Sequence, residues 1–268
     1  MAEEDKTQGA TDPRLDSLRV RIDEVDRELL ALLSRRARLA QEVGELKKTT
    51  DAPVYRPERE ALIMRKLREA NPGPLPGAAI EAVWREIVSA CRELERRMRV
   101  AYLGPAGTFS EQALPKHFGS GGDPIACPTI DEVFRATEAG TVDFGVVPVE
   151  NSTEGAVNRT LDLFLETSLA ISGEVLVPVR QNLMSLGGTL EGVTRIVSHA
   201  QSLAQCIGWL DRNCPGIERV PVASNAEAAR LASLDAATAA ITGENAAARC
   251  GLGLVARSIQ GDPNNRTR

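Results

Sequence analysis

The sequence predicts a molecule in two parts: an all-helical segment over residues 13–99, then an α/β segment over residues 100–268. The second part has the size for two small lobes with a cleft between them. Three observations predict this. In the first hundred residues apolar positions recur at alternating steps of three and four. After Arg99 short apolar runs alternate with helical stretches. Polar clusters then fall where those runs end, which is where open α/β sheets bind ligands.

The opening stretch, MAEEDKTQGATD over residues 1–12, is acidic and polar and reads as a tail rather than a signal peptide. Hydrophobic residues are 43% of the 268, enough for two cores. The formal charge of −5 gives no reason to expect nucleic acid. The helical segment is mildly basic and the rest acidic, which suits an anionic ligand in the first part. Five cysteines, with no C-x-x-C, predict reduced thiols in the cytoplasm and neither a zinc site nor a disulfide frame. No apolar run approaches membrane-spanning length, so no membrane partner is expected.

The first helix starts at Asp12-Pro13, an N-cap followed by a favoured first position. Its seam runs Leu15, Leu18, Ile22, Val25, Leu29, Leu32, Leu39, Val43 and Leu46. Running to about Lys48, it would be roughly 50 Å long, more than a small monomeric domain is wide. A partner chain is therefore expected to cover part of it. One seam position holds Arg36 instead of an apolar residue. It could snorkel to solvent. Lys47 agrees with a different reading: eleven residues on, it points within about 20° of Arg36, about 16 Å along the axis. The two share the buried face, and Arg19, about 100° away, must serve another surface.

A second helix opens at RPEREALIMRKL and stops at NPGPLPG. A third carries the stripe Ile80, Val83, Trp84, Ile87, Val88, Cys91, Leu94 and Met98. Glu95 lies on or beside that stripe. It is either a solvated edge residue or a partner for the cations of the first helix.

The stretches LRVRIDEVDRELLALLSRRARLAQEVGELK, PVYRPERE and VWREIVSACRELE together resemble the all-helical chorismate mutase family, over nearly all of residues 13–99. The resemblance implies an intertwined homodimer with chorismate as substrate. Each site would borrow Arg19 from the partner and take Arg36, Lys47, Arg59, Glu60 and Glu95 from the home chain. Where one branch of the family has Ser and Gln in the third helix, this sequence has Cys91 and Glu95. Activity is still expected, with an altered pH dependence. The rearrangement to prephenate is pericyclic and needs no nucleophile, metal or cofactor. The site must hold a folded dicarboxylate and stabilise charge on the ether oxygen. Arginine forks suit the carboxylates, and Lys47 and a protonated Glu95 can donate to the ether oxygen.

From Val100 the pattern reads strand (VAYLG), helix (SEQALPKHF), strand (VDFGVVPVE), helix (AVNRTLDLFLE) and a strand pair (LAISGEVLVPV). Strand TRIVSHA, helix QSLAQCIGWLDRN, strand RVPVAS, helix NAEAARLAS, strand AAIT, helix ENAAARC and strand GLGLVARSI follow. The sheets should be mostly parallel. GPAGTFS lacks both G-x-G-x-x-G and the lysine of a P-loop, which argues against nucleotide binding. Gly104 and Gly107 read as turn glycines. His199 is a structural histidine or, less favoured, a catalytic base.

YLGPAGTFSEQAL, GVVPVENSTEGAVNRTLDLF and the closing NNRTR resemble the prephenate dehydratase family over residues 100–268. That implies a fold like type II periplasmic binding proteins and conversion of prephenate to phenylpyruvate with loss of carbon dioxide and water. It makes Thr267 the catalytic threonine, with Asn151, Ser198 and Gln205 as polar cleft contacts and Thr108 and Arg268 as further candidates. A threonine hydroxyl is a poor general acid by pKa, so a hydrogen bond at the leaving oxygen is its minimal role. Glu150 and Glu154 are better acids, without a motif that assigns them. The motif is cut at Arg268, before the family's phenylalanine and a regulatory ACT domain, so fraying at Thr267 is expected to impair the dehydratase. The two resemblances place the chain in phenylalanine biosynthesis. The competing reading is a two-lobed small-molecule sensor on a helical dimerisation module, which has no need of a cationic seam.

Overall fold

The computed structural model describes residues 12–50 and 55–268; residues 1–11 of the expected polar tail lie outside the described residues. Helix α1 (Pro13–Thr50) spans 38 residues, about 57 Å at 1.5 Å per residue. Asp12 starts it, its carboxylate accepting from the Arg14 amide at 2.9 Å. Helix α2 (Pro57–Ala70) has Pro57 in its first turn and ends before Asn71, whose side chain donates to the Leu75 carbonyl. Helix α3 (Gly77–Glu93) buries Val88, Ser89, Cys91 and Arg92.

The seam of α1 is uncovered. Leu18, Ile22, Val25, Leu29, Leu32 and Leu39 each keep half or more of their surface in solvent. Near the C-terminal end α1 meets the chain that follows α3. Gly44 is buried there, and a Cβ on it would sit 3.0 Å from Glu95 Cγ. Glycine is what lets the two backbones approach.

The third helix is shorter than its stripe. It stops at Glu93, Glu95 lies in the turn beyond, and Leu94 is half exposed. Met98 is buried in a different core, with Val100, Tyr102, Leu114 and Phe118. The stripe continued in sequence because Met98 is apolar for another reason: it enters the second part of the molecule.

That part opens with strand β1 (Arg99–Leu103), helix α4 (Phe109–Phe118), strand β2 (Asp123–Cys127), helix α5 (Ile130–Glu138) and strand β3 (Phe144–Val146). The three strands form a parallel sheet in the order β2-β1-β3. The sequence pattern missed β2 and α5. β2 is an edge strand containing Pro124, and only Cys127 in it is buried, so it has no alternating stripe to read.

The second lobe holds β7 (Asn182–Ser185), β8 (Arg195–His199), α7 (Ala200–Asn213), β9 (Glu218–Val222), α8 (Asn225–Leu234), β10 (Thr238–Thr242), α9 (Glu244–Arg249) and β11 (Gly253–Ala256). Its sheet order is β11-β7-β10-β8-β9, parallel from β10 to β9 and antiparallel at β7. Leu183, Ile196, Leu210 and Ile241 fill the core beneath α7 at essentially zero exposure. Four buried alanines, Ala228, Ala229, Ala232 and Ala240, let α8 lie close on the other face.

A third, small antiparallel sheet contains β4 (Glu150–Asn151), β5 (Gly155–Ala156), β6 (Val177–Pro178) and β12 (Arg266–Thr267), in the order β5-β4-β12-β6. Helix α6 (Asn158–Glu166) follows β5. The expected strand pair in LAISGEVLVPV reduces to β6, because Leu169–Leu176 pairs with nothing as a strand. The fraying expected at Thr267 does not occur. β12 lies between β4 and β6, with Thr267 opposite Asn151 and Val177. The Arg268 amide donates to the Glu150 carbonyl at 2.8 Å, and the Val149 amide returns the bond at the same distance. Chain ends fray unless tied down, and this one is tied on both sides.

The two parts are joined along α3. The Gly121 amide donates to Ser89 Oγ at 2.9 Å, and the Gly122 amide to Glu93 at 3.0 Å. Tyr55, just before α2, packs against Phe118 and Phe144.

Candidate active sites

Two polar constellations stand apart in kind. The first lies in the helical part, where α3 packs against both α1 and α2. Lys47 Nζ lies 2.8 Å from Glu95 Oε2, and both side chains are mostly buried. Arg36 is half-buried on α1, and Arg59 is exposed in the first turn of α2. Neither arginine has a side-chain hydrogen bond or ion pair with any of the described residues. Two guanidinium groups without carboxylate partners are suited to an anionic ligand. Glu60 is held by Arg92. Arg19 is exposed and pairs at 3.2 Å with Asp16. It is 17 positions before Arg36 on one helix, so about 26 Å separates them along the axis. Within a single chain it cannot join the others.

The second constellation is built almost wholly from neutral amides and hydroxyls. Asn151 sits on β4, where the turn to β5 fixes its side chain: Oδ1 accepts from the amides of Thr153 at 3.0 Å and Glu154 at 3.1 Å. This Asx turn aims Nδ2 across the sheet, where it donates to Thr267 Oγ at 2.9 Å and Asn265 Oδ1 at 3.1 Å. All four of its hydrogen-bonding positions are used. The chain continues from Asn265 Nδ2 to Gln205 Oε1 at 3.0 Å, and from Gln205 Nε2 to Glu154 at 3.3 Å.

Behind it lies a buried layer. Gln181 Nε2 and Asn225 Nδ2 both donate to Ser202 Oγ at 2.9 Å. Ser198, at zero exposure, is hydrogen-bonded to Asn225 Oδ1 at 2.9 Å and the Ile241 carbonyl at 2.7 Å. It orients Asn225 and does not reach the surface of the cleft. Asn265, Asn225, Gln181 and Ser202 were not singled out in the sequence. Asn265 sits in the quoted NNRTR stretch, and Ser202 is on the same helix turn as Gln205. Nothing in the sequence pointed to Gln181.

Thr108 and Arg268 lie outside this network. Thr108 precedes α4 and donates to the Leu103 carbonyl at 3.2 Å. Arg268 follows Thr267 along the strand, so its side chain leaves on the opposite face; it pairs with Glu150 at 3.0 Å and Glu174 at 3.6 Å. It borders a cavity of about 480 Å³ in the first lobe, whose apolar lining includes Phe118, Phe134, Phe144 and Phe164. His199 uses its backbone amide, which donates to Asn225 Oδ1 at 3.2 Å.

The two lobes are also bridged between α4 and α9. Glu111 on α4 accepts from the Gly107 amide at 2.6 Å and pairs with Arg249 of α9 at 2.7 Å. Gly107, with φ +91°, comes so close to α9 that a Cβ would meet Ala246 at 3.0 Å. Burial and the Glu111 carboxylate push the nearby Tyr102 up to about 12, so it stays a neutral phenol. All five cysteines are free thiols. Burial pushes Cys206 up to about 12, which leaves it unreactive.

Comparison with known proteins divides the chain at the same change of character. A family model described as prephenate dehydratase matches residues 100–268, and one described as chorismate mutase type II matches residues 18–96. A bifunctional chorismate mutase/prephenate dehydratase of Stutzerimonas stutzeri is 50% identical over 262 residues, covering 95% of this chain and 72% of the relative. One of the same description from Neisseria gonorrhoeae is 49% identical over 250 residues, covering 92% and 68%. Among solved structures, the prephenate dehydratase of Arthrobacter aurescens in complex with L-Phe is 34% identical, with a TM-score of 0.57 over 63% of this chain and 58% of that one.

Proposed function

From the premise that the chain belongs to the family of bifunctional chorismate mutase/prephenate dehydratases, we propose how its residues divide the two reactions of phenylalanine biosynthesis between them. The helical part rearranges chorismate to prephenate. The α/β part takes prephenate to phenylpyruvate, carbon dioxide and water. The observation that carries the assignment is the contrast in site chemistry within the two matched segments: two arginines without a carboxylate partner among the described residues in the first, a hydroxyl held by a neutral amide in the second.

In the mutase, Arg36 and Arg59 take the carboxylates of chorismate, and Arg19 comes from a second copy of the chain. Its distance from Arg36 along one straight helix supports that origin, as does the uncovered apolar seam of α1. The active form is then a homodimer. Lys47 and Glu95 face the ether oxygen, and Glu60 completes the wall. Glu95 acts when protonated, since an ionised carboxylate only accepts. The work is positional and electrostatic: substrate is held folded, and donors meet the charge that grows as the C–O bond breaks.

In the dehydratase, Thr267 donates a hydrogen bond to the ring hydroxyl as it leaves. Asn151 donates to Thr267 Oγ, which polarises the hydroxyl and turns its own proton away from Asn151. Asn151 thus works through Thr267, and Ser198 through Asn225. Gln205 lines the cleft, with Thr108 and Arg268 at its margins. The hydroxyl leaves and takes up a proton from solvent to become water, while the carboxylate departs as carbon dioxide and leaves its bonding electron pair to complete the aromatic ring, so no cofactor is needed. Two lobes of sheet and helix around this cleft support a likeness to type II periplasmic binding proteins. Free thiols and the family's metabolism support a cytoplasmic location. The test is direct: add chorismate, follow loss of its absorbance, and assay phenylpyruvate. Chorismate left unchanged would return the chain to the sensor reading.

A further inference from the structure

Arg92 is a buried charge that neither proposed reaction uses. It lies on α3 with only 5% of its surface exposed. One arm of the guanidinium holds a carboxylate oxygen of Glu60 on α2. The other donates to the main-chain carbonyl of Phe118, the last residue of α4. The guanidinium carbon also stands 5.0 Å from the centre of the Tyr55 ring, within cation–π range. Each contact is the kind a desolvated guanidinium requires. The carboxylate neutralises it, and a helix C-terminal carbonyl is a natural cation acceptor.

The two arms end in different parts of the molecule. Glu60 belongs to the mutase, and the Phe118 carbonyl to the dehydratase. We propose that Arg92 is a positioning residue for the mutase reaction, one that fixes the Glu60 carboxylate by clamping it to the end of α4. The inference rests on the assignment of Glu60 to the mutase site. Two features favour positioning over simple packing. The planar fork dictates the direction of both bonds at once, which a lysine cannot do. The anchor is a main-chain atom at the end of a helix inside a packed lobe, so Glu60 is referred to a rigid frame and not to another mobile side chain.

The test is a double-mutant cycle in the full chain, reading mutase kcat and KM, with thermal melts to establish folding. Arg92→Met should lower kcat/KM by about 10- to 100-fold, the range expected when a contact group is displaced by about 1 Å. In a Glu60→Gln background the same substitution should lower it by less than about threefold, because the residue it acts through is already altered. If Arg92→Met leaves kcat/KM unchanged, or its loss persists in full in the Glu60→Gln background, the positioning role is wrong. If Glu60→Gln alone is fully active, the fault lies instead in placing Glu60 in the site. Should Arg92→Met not fold, Arg92→Lys runs the same cycle, since it keeps the charge and lacks the fork.

Discussion

The helical part of this protein leaves its apolar seam uncovered, whereas the polar network of the α/β part is assembled within one chain. Along α1 seven leucine, isoleucine and valine residues of the seam stand half exposed or more, and Arg19 lies far from the other cations proposed for the mutase. The dehydratase network, by contrast, branches from Asn151 to Thr267 and to Asn265, and continues from Asn265 to Gln205. The chemistry differs in step. Full charges can be presented by long side chains from separate helices, even from separate chains. A neutral hydroxyl needs its direction fixed by short, saturated amides, which only a continuous sheet supplies.

The sharpest way to break this contrast is subunit exchange. Arg19→Ala and Arg36→Ala should each lower mutase activity by about 100-fold or more, as loss of a donor to developing or bound charge does. After mixing and exchange, about a quarter of the sites should recover, because half the dimers are mixed and each restores one site of its two. Proven exchange without recovery would put Arg19 outside the site.

The dehydratase should show the opposite behaviour. Thr267→Val removes the hydroxyl and keeps the shape. Dehydratase kcat should fall by about 100-fold, no mixture of variants should restore it, and mutase activity should stay within about twofold. Recovery by mixing would mean that this site, too, is shared.

A subtler difference is the donor each site presents. In the proposed mutase it is the carboxyl of Glu95, in the dehydratase the hydroxyl of Thr267. Glu95→Gln keeps a donor at the same reach, so mutase kcat should stay within about tenfold of the parent; Glu95→Ala removes it and should cost about 100-fold. Equal losses in the two variants would acquit Glu95.

The smallest effect belongs to the seam between the parts. The Tyr55 hydroxyl is 3.0 Å from His117 Nε2. Burial, then Arg85 and Arg92, hold His117 below the usual histidine range, and burial with Glu60 pushes Tyr55 up to about 12. A base whose pKa is lowered by folding takes its proton more readily when unfolded. Its contribution is complete above about pH 6.5 and is lost as pH falls from there through the folded value. Melting temperature should drop between about pH 7 and pH 5, and less steeply for His117→Gln. Equal slopes would show that His117 does not govern the joint.

The contrast also explains what the sequence disclosed. The seam of α1 was readable because a long helix repeats one instruction many times. The pairing of Lys47 with Glu95 was one of the two readings that the stripe of the third helix left open. The end of α3 was not readable, since Met98 fits its period while serving another core. Gly44 and Arg92 were missed for a related reason. A glycine in a helix and an arginine near a helix end each have many ordinary uses, and only the neighbouring element shows which applies. On the α/β side Asn151 and Thr267 came from motif alone. Gln181 and Asn225 were invisible because a hydrogen-bond chain has no period.

The uncovered seam of α1 has one more consequence, in dilution. If the mutase needs two copies and the dehydratase one, mass action governs only the first. Diluted below the dissociation constant of the pair, the protein should go on consuming prephenate while ceasing to make it. The ratio of the two turnover rates would then report the fraction of chains that have found a partner.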